Sequence, residues 1–195
     1  MIGFIADELS LCLVINKIIP IEKRKYYIYG IELILCDLLI FLMIAVVAFI
    51  TRKVLLSTIF TISFCLLRSY TGGYHCKSYI GCYIATMTNY FLLLIFNTLL
   101  SQYKVSAVWI MLIITTPIIW KFSPIKNNNI SFDEKEKNKY KKISRKLVVL
   151  VIFLCAISYF LLLHEIAFSF AWTMFSTAFL MLLEIILQKE KEGIR

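Results

Sequence analysis

The sequence predicts an all-α, polytopic membrane protein with about six transmembrane helices and an N-terminal helix in the interface. Three observations predict it. Of 195 residues, 61% are hydrophobic and 17% charged, against roughly 45 to 50% apolar in a soluble domain. The apolar residues gather into six runs, most of them near the ~20 residues a spanning helix needs. The cations flank these runs, as they do where they orient helices and meet anionic membrane lipid. A net charge of +9 would suggest nucleic acid in a soluble protein; in this setting nucleic acid is not an expected partner. The chain reads as one integral membrane domain, residues 1–195.

The elements follow in order. In residues 1–27, Gly3, Asp7, Ser10 and Lys17 recur at helical spacing and draw a narrow polar stripe along an apolar segment, as in a helix lying in the interface. A helix packed on the bundle would show the same stripe. No cleaved signal peptide is expected, because the first charges are Asp7 and Glu8 and not a basic leader. After Lys23-Arg24-Lys25 come the runs Ile28–Ile50, Val54–Leu67, Cys82–Leu100, Val105–Trp120, Leu147–Leu163 and Ile166–Leu187. Val54–Leu67 is short, at a length where a re-entrant or partly interfacial helix competes. Residues 121–146 form a basic loop in which Ser131 and Glu134 stand as a capping box and a short helix follows. Asp133 with Lys137 stands at i,i+4, and the last cations lead into the fifth run. With six spans and an inside N-terminus, 18 of the 21 lysines and arginines fall on the inside. The positive-inside rule therefore predicts cytoplasmic termini and a cytoplasmic loop over 68–81.

That loop holds the chemistry. "RSYTGGYHCKSYIGC", Arg68 to Cys82, is where reactive side chains crowd between apolar segments. A cysteine nucleophile acts as the thiolate and wants a histidine within reach to take its proton. His75 is the candidate base, since His164 sits in a turn expected on the other side. Cys76 adjoins His75, but adjacent residues point apart in helix or strand. Cys82 is seven residues on, the same helical face but roughly 10 Å along the axis, so a hydrogen bond between the two requires the chain to turn. Gly72, Gly73 and Gly81 permit that. On these residues alone, a histidine bonded at the interface and a cysteine that only opens the third span remain an alternative. Arg68 closes a short apolar run, where a charge tends to pair or to serve function. It suits a substrate carbonyl or carboxylate, or Asp37 or Glu32 of the first run. Asp37 lies deep in an apolar run and is expected to face protein or water, as partner to Arg68 or His75 or as a neutral, internally bonded group. Cys36, Cys65 and Cys155 read as small buried hydrophobes, and no segment has metal-ligand spacing. No cofactor is expected.

The stretch resembles the signature of the accessory gene regulator protein B (AgrB) family, membrane cysteine endopeptidases that process the precursor of a cyclic quorum-sensing peptide. An arginine, a glycine pair, a histidine and a cysteine seven residues later fall on Arg68, Gly72, Gly73, His75 and Cys82, with Ser78 between. The similarity extends to several apolar spans, a proline-and-asparagine segment like "SPIKNNN" and a lysine-rich stretch before the last two spans. The resemblance implies that His75 and Cys82 are the catalytic dyad and Cys76 a bystander, with Arg68, Gly72, Gly73 and Ser78 supporting the site or the substrate. It implies a propeptide substrate of the accessory gene regulator protein D (AgrD) type, a homodimer, and the bacterial cytoplasmic membrane as location. The mechanism implied is cleavage through an acyl-thioester and closure to a thiolactone or lactone. A small transporter with Arg68, His75 and Asp37 along its path, or a non-catalytic scaffold or lipid-binding protein, are the rival classes.

Overall fold

The computed structural model describes residues 2–74, 79–125 and 134–193. Among them every regular element is a helix: α1 (Ile2–Ile15), a 3₁₀ turn at Ile21–Lys23, α2 (Arg24–Ile50), α3 (Val54–Thr71), α4 (Tyr79–Leu99), α5 (Lys104–Phe122), α6 (Glu134–Phe160) and α7 (His164–Gly193). Six of these, α2 to α7, are long and apolar enough to cross a membrane. The chain is an all-α, multi-pass membrane protein.

The helix ends explain where the runs stop. Apolar composition without charge carries each helix onward, because in lipid an unpaired backbone group costs several kcal/mol. The short run Val54–Leu67 gains a turn, since the helix continues through Arg68 to Thr71 and Gly72 breaks it at φ 72°. Its 18 residues reach about 27 Å at 1.5 Å each. Residues 134–146 of the segment read as a loop are helical and form the first turns of α6. The cap expected at Ser131 lies outside the described residues.

In α1 the polar stripe turns toward α2. Ser10 is buried, Arg24 donates to Ser10 Oγ at 3.2 Å, and its Nη2 pairs with Asp7 Oδ1 at 2.8 Å. Gly3 lies so close to Glu32 that a Cβ there would stand 3.0 Å from the carboxylate. Phe4 and Ile15 face outward, each 71% exposed. Asp7 and Ser10 of the stripe thus meet α2, while Lys17 lies past the end of α1 and is exposed.

Helix α7 is the centre of the bundle and packs on α3, α4, α5 and α6. Half of its apolar window is buried, against 22 to 39% in the other spans. Small residues make this close approach possible: Ala167, Ala171, Thr173 and Ala178 are all buried, and in lipid such residues let backbones meet. Buried hydroxyls bond across the contacts, Ser63 with Thr173 at 3.0 Å and Ser169 to the Leu56 carbonyl at 3.0 Å. Trp172 Nε1 donates to Asn89 Oδ1 at 3.1 Å.

One end of the bundle is held by Glu165. Its Oε1 accepts from Lys53 Nζ at 2.8 Å, Lys104 Nζ at 3.4 Å and Asn97 Nδ2 at 3.4 Å. Three turns are joined there, and two of the three cations expected on that side are paired. His164 stands beside this cluster, its ring 5.8 Å from Tyr159, which puts it at the opposite end from Arg68. Partly exposed pairs contribute up to about 1 kcal/mol. Glu165→Gln is therefore expected to lower the unfolding midpoint in detergent by about 2–4 °C, read by tryptophan fluorescence, with no change at the other end.

Candidate functional site

Arg68, Cys82 and the glycine pair all line one cavity, of about 420 Å³, between α2, α3 and α4. Helical spacing brings them there. On α3 the lining positions Phe60, Phe64 and Arg68 fall four apart, on α4 Cys82 and Thr86 do the same, and on α2 so do Asp37 with Phe41 and Ile40 with Ile44. Each helix thus presents one face to the same space.

Counted along the axis from the far end of each helix, Asp37 lies about 20 Å from Ile50, Arg68 about 21 Å from Val54 and Cys82 about 26 Å from Leu99. By this count the three polar groups stand within about 6 Å of one another in depth, short of the ~30 Å of a hydrocarbon core. Asp37 and Cys65 are exposed at the margin, while Cys82 and Arg68 are half-buried. The thiol is therefore reachable from outside the protein yet set at an apolar boundary.

The chain after α3 is fixed by backbone contacts. Gly72 N–H donates to the Arg68 carbonyl at 3.2 Å, Tyr74 N–H to the Leu180 carbonyl at 3.1 Å, and Ile125 N–H to the Thr71 carbonyl at 2.9 Å. Gly72 (φ 72°, ψ −158°) occupies a region open essentially to glycine, and a Cβ there would meet the Ile125 carbonyl oxygen at 2.7 Å. Gly73 (φ 127°) sits against Leu180, and a Cβ there would stand 2.9 Å from Arg68 Nη1. Arg68 Nη2 donates to the Tyr74 carbonyl. The glycine pair lets the segment leading to His75 press between α7, the 123–125 turn and the guanidinium.

His75, Cys76 and Ser78 lie outside the described residues, so the expected His75–Cys82 pairing concerns positions beyond them. Asp37, weighed in the sequence as a partner for Arg68 or His75, shares the cavity with Arg68 and Cys82. Sequence reasoning missed the far wall: Pro124 and Ile125 of the α5–α6 connection and Tyr140 of α6. Tyr140 meets Tyr70 ring to ring at 5.7 Å, Ser123 Oγ donates to Ser144 Oγ at 2.7 Å, and the Arg145 guanidinium lies 4.9 Å over Trp120. The basic start of α6 is thereby tied down beside the cavity.

The sequence profile of the accessory gene regulator B family matches residues 4–186. The chain belongs to that family. The match takes in α2 to α6, α7 as far as residue 186 and the whole cavity lining, and membership of the family supports a role in the accessory gene regulator quorum-sensing system. Over 131 residues the chain is 28% identical to an AgrB-like protein of Clostridium beijerinckii, covering 65% of this chain and 64% of that relative. It thus spans just under two thirds of the relative's length. No solved structure matches the chain.

Proposed function

We propose that this member of the accessory gene regulator B family is a membrane cysteine endopeptidase. It removes the C-terminal tail of an AgrD-type propeptide and promotes cyclisation of the remainder. The observation that carries the reading is the shared cavity: a half-buried thiol, a guanidinium and a strained glycine pair converge at the membrane boundary. The Cys82 thiolate, its proton taken by His75, attacks the peptide carbonyl. The C–N bond breaks, the tail amine leaves with a proton from His75, and the acyl group stays on sulfur as a thioester. A cysteine or serine within the peptide then displaces the Cys82 sulfur and closes a thiolactone or lactone. The thioester keeps enough acyl-transfer potential for ring closure, and the apolar boundary limits competing water.

Arg68 is the group suited to hold the carbonyl oxygen as charge develops. Arg68 Nη2 donates to the Tyr74 carbonyl, which sets the plane of a guanidinium fork suited to oxygen acceptors. Arg68→Lys offers a single point charge in place of that fork. It is expected to slow cleavage at saturating peptide by at least about 10-fold while moving the unfolding midpoint little.

The termini and the site face the cytoplasm by the positive-inside rule. A leader of amphipathic character would rest in the interface, and an acidic tail would meet the lysines of the α6 start, Lys135 to Lys146. The enzyme is a homodimer in this reading. Cleavage of the co-produced precursor in liposomes by wild type, His75→Ala, Cys76→Ala and Cys82→Ala tests the assignment. Loss in the His75 and Cys82 variants with activity kept in Cys76→Ala is expected; retained cleavage in Cys82→Ala would move the nucleophile to another residue, Cys76 first, and absence of cleavage by the wild type would return the protein to the transporter class.

A further inference from the structure

The cavity is deeper than a nucleophile needs. The charged groups and the thiol, Asp37, Arg68 and Cys82, stand at the rim, and below them the lining is mainly apolar through Ile40, Ile44, Phe60 and Phe64, with Thr86 a turn below Cys82 and the Thr61 hydroxyl turned back to the Ser57 carbonyl. Ile44 and Phe60 each lie about 9 Å from the far ends of their helices, some 12 Å beneath the rim. These four side chains are 1 to 8% exposed. Phe60 stacks on Phe64 with ring centroids 5.4 Å apart, and on Tyr90 at 6.1 Å. The aromatic floor is thus braced from behind.

An apolar cavity of about 150 Å³ accommodates one benzene ring. At about 420 Å³, this one has room for two bulky side chains and lies within the ordinary range of ligand pockets. Its polarity is graded in a way that fits a peptide: backbone groups at the Arg68 and Cys82 level, apolar side chains against the mainly apolar wall below.

We propose that the cavity is the acyl-side subsite of the reaction and binds up to two bulky apolar side chains of the peptide half that becomes attached to Cys82. This rests on Cys82 being the nucleophile. The acyl half is assigned because it alone stays on the enzyme after the tail departs, and its thioester must be shielded from water until the ring closes. The leaving half is directed away, toward the basic first turns of α6 beside the rim. Filling the cavity with the acyl half therefore anchors the thioester during the second step. Apolar complementarity of this kind discriminates by about 10-fold or more between side chains that fill a pocket and side chains that do not.

Peptidyl chloromethyl ketones provide the probe, because they approach a thiol from the acyl side. The thiolate displaces chloride, a C–S bond replacing C–Cl, and leaves a thioether identifiable by the mass of the Cys82 peptide. The full chain in liposomes is treated with reagents carrying Leu-Phe or Gly-Gly before the ketone. Each Cys82 rate is divided by the rate at exposed Cys12 with the same reagent, which cancels partitioning into the bilayer. The Leu-Phe reagent is expected to be at least about 10-fold faster on this scale. Ile44→Trp and Ile40→Trp should each bring the ratio toward one, with iodoacetamide still reacting at the wild-type rate as the check that the thiol remains in place. Equal normalised rates for both reagents in the wild type, with Cys82 outpacing Cys12, would overturn the subsite and leave the nucleophile standing. If neither ketone alkylates Cys82 faster than Cys12, the nucleophile assignment fails and the subsite with it.

Discussion

Replacing Cys82 with alanine is expected to reduce cleavage of the precursor by at least about 10⁴-fold, the scale lost when a nucleophile acting in concert with its base is removed. The expectation rests on two features. Cys82 opens onto the cavity from the first turn of α4 and is half-buried there, whereas Cys36 and Cys155 are buried. Cys65, the other thiol of the cavity lining, is exposed at its margin, on α3 before the glycine pair. A serine at position 82 would fit the same space, but its hydroxyl is far less ionised and far less nucleophilic. Cys82→Ser should therefore fail almost as completely as Cys82→Ala, while binding the peptide as the wild type does. Single-turnover cleavage in liposomes, with peptide binding measured alongside, separates loss of chemistry from loss of binding.

The second large effect is expected at Gly72. Its φ of 72° and ψ of −158° make any other residue costly by about 1–3 kcal/mol. The added Cβ would also stand 2.7 Å from the Ile125 carbonyl oxygen. That atom is backbone, held in place by the Ile125 N–H bond to the Thr71 carbonyl. Relief must come by parting the α3 end from the 123–125 turn, which displaces two walls of the cavity together. Gly72→Ala should lower the unfolding midpoint by about 5–10 °C and abolish cleavage. Gly30→Ala is the control: nothing lies within 4 Å of a Cβ there, and alanine in a helix interior is favoured over glycine. Its midpoint should stay level or rise slightly, with cleavage unchanged. Thermal unfolding in detergent and the liposome assay read both.

The spans were legible because hydropathy reports each helix's solvent one helix at a time. All six apolar runs are helices, and the short run became long enough once Arg68 to Thr71 were counted with it. The supporting cast was less legible for the same reason, since hydropathy does not say which helix faces which. In α1 a polar stripe of Gly3, Asp7, Ser10 and Lys17 serves lipid headgroups or a neighbouring helix equally well, and its contacts with Arg24 and Glu32 could not be read from spacing. The central place of α7 was written in its small residues, Ala167 four before Ala171 and Ser169 four before Thr173, a spacing that marks close packing in membranes but not the partner. At the site, residue types near one another in sequence sufficed for Arg68, the glycine pair and Cys82. Tyr140 and Ile125 reach the cavity from more than forty residues away, through a fold that no local spacing encodes.

The central claim is that Cys82 carries the acyl group. The measurement that tests it most directly is the mass of the Cys82 peptide after wild-type protein in liposomes is mixed with the precursor and quenched in acid during the first turnover. The account predicts an adduct equal to the precursor without its tail, removable by hydroxylamine and missing in Cys82→Ser. Cleavage that proceeds with the Cys82 peptide unmodified, or an adduct found on Cys65 or Cys76 instead, would contradict it.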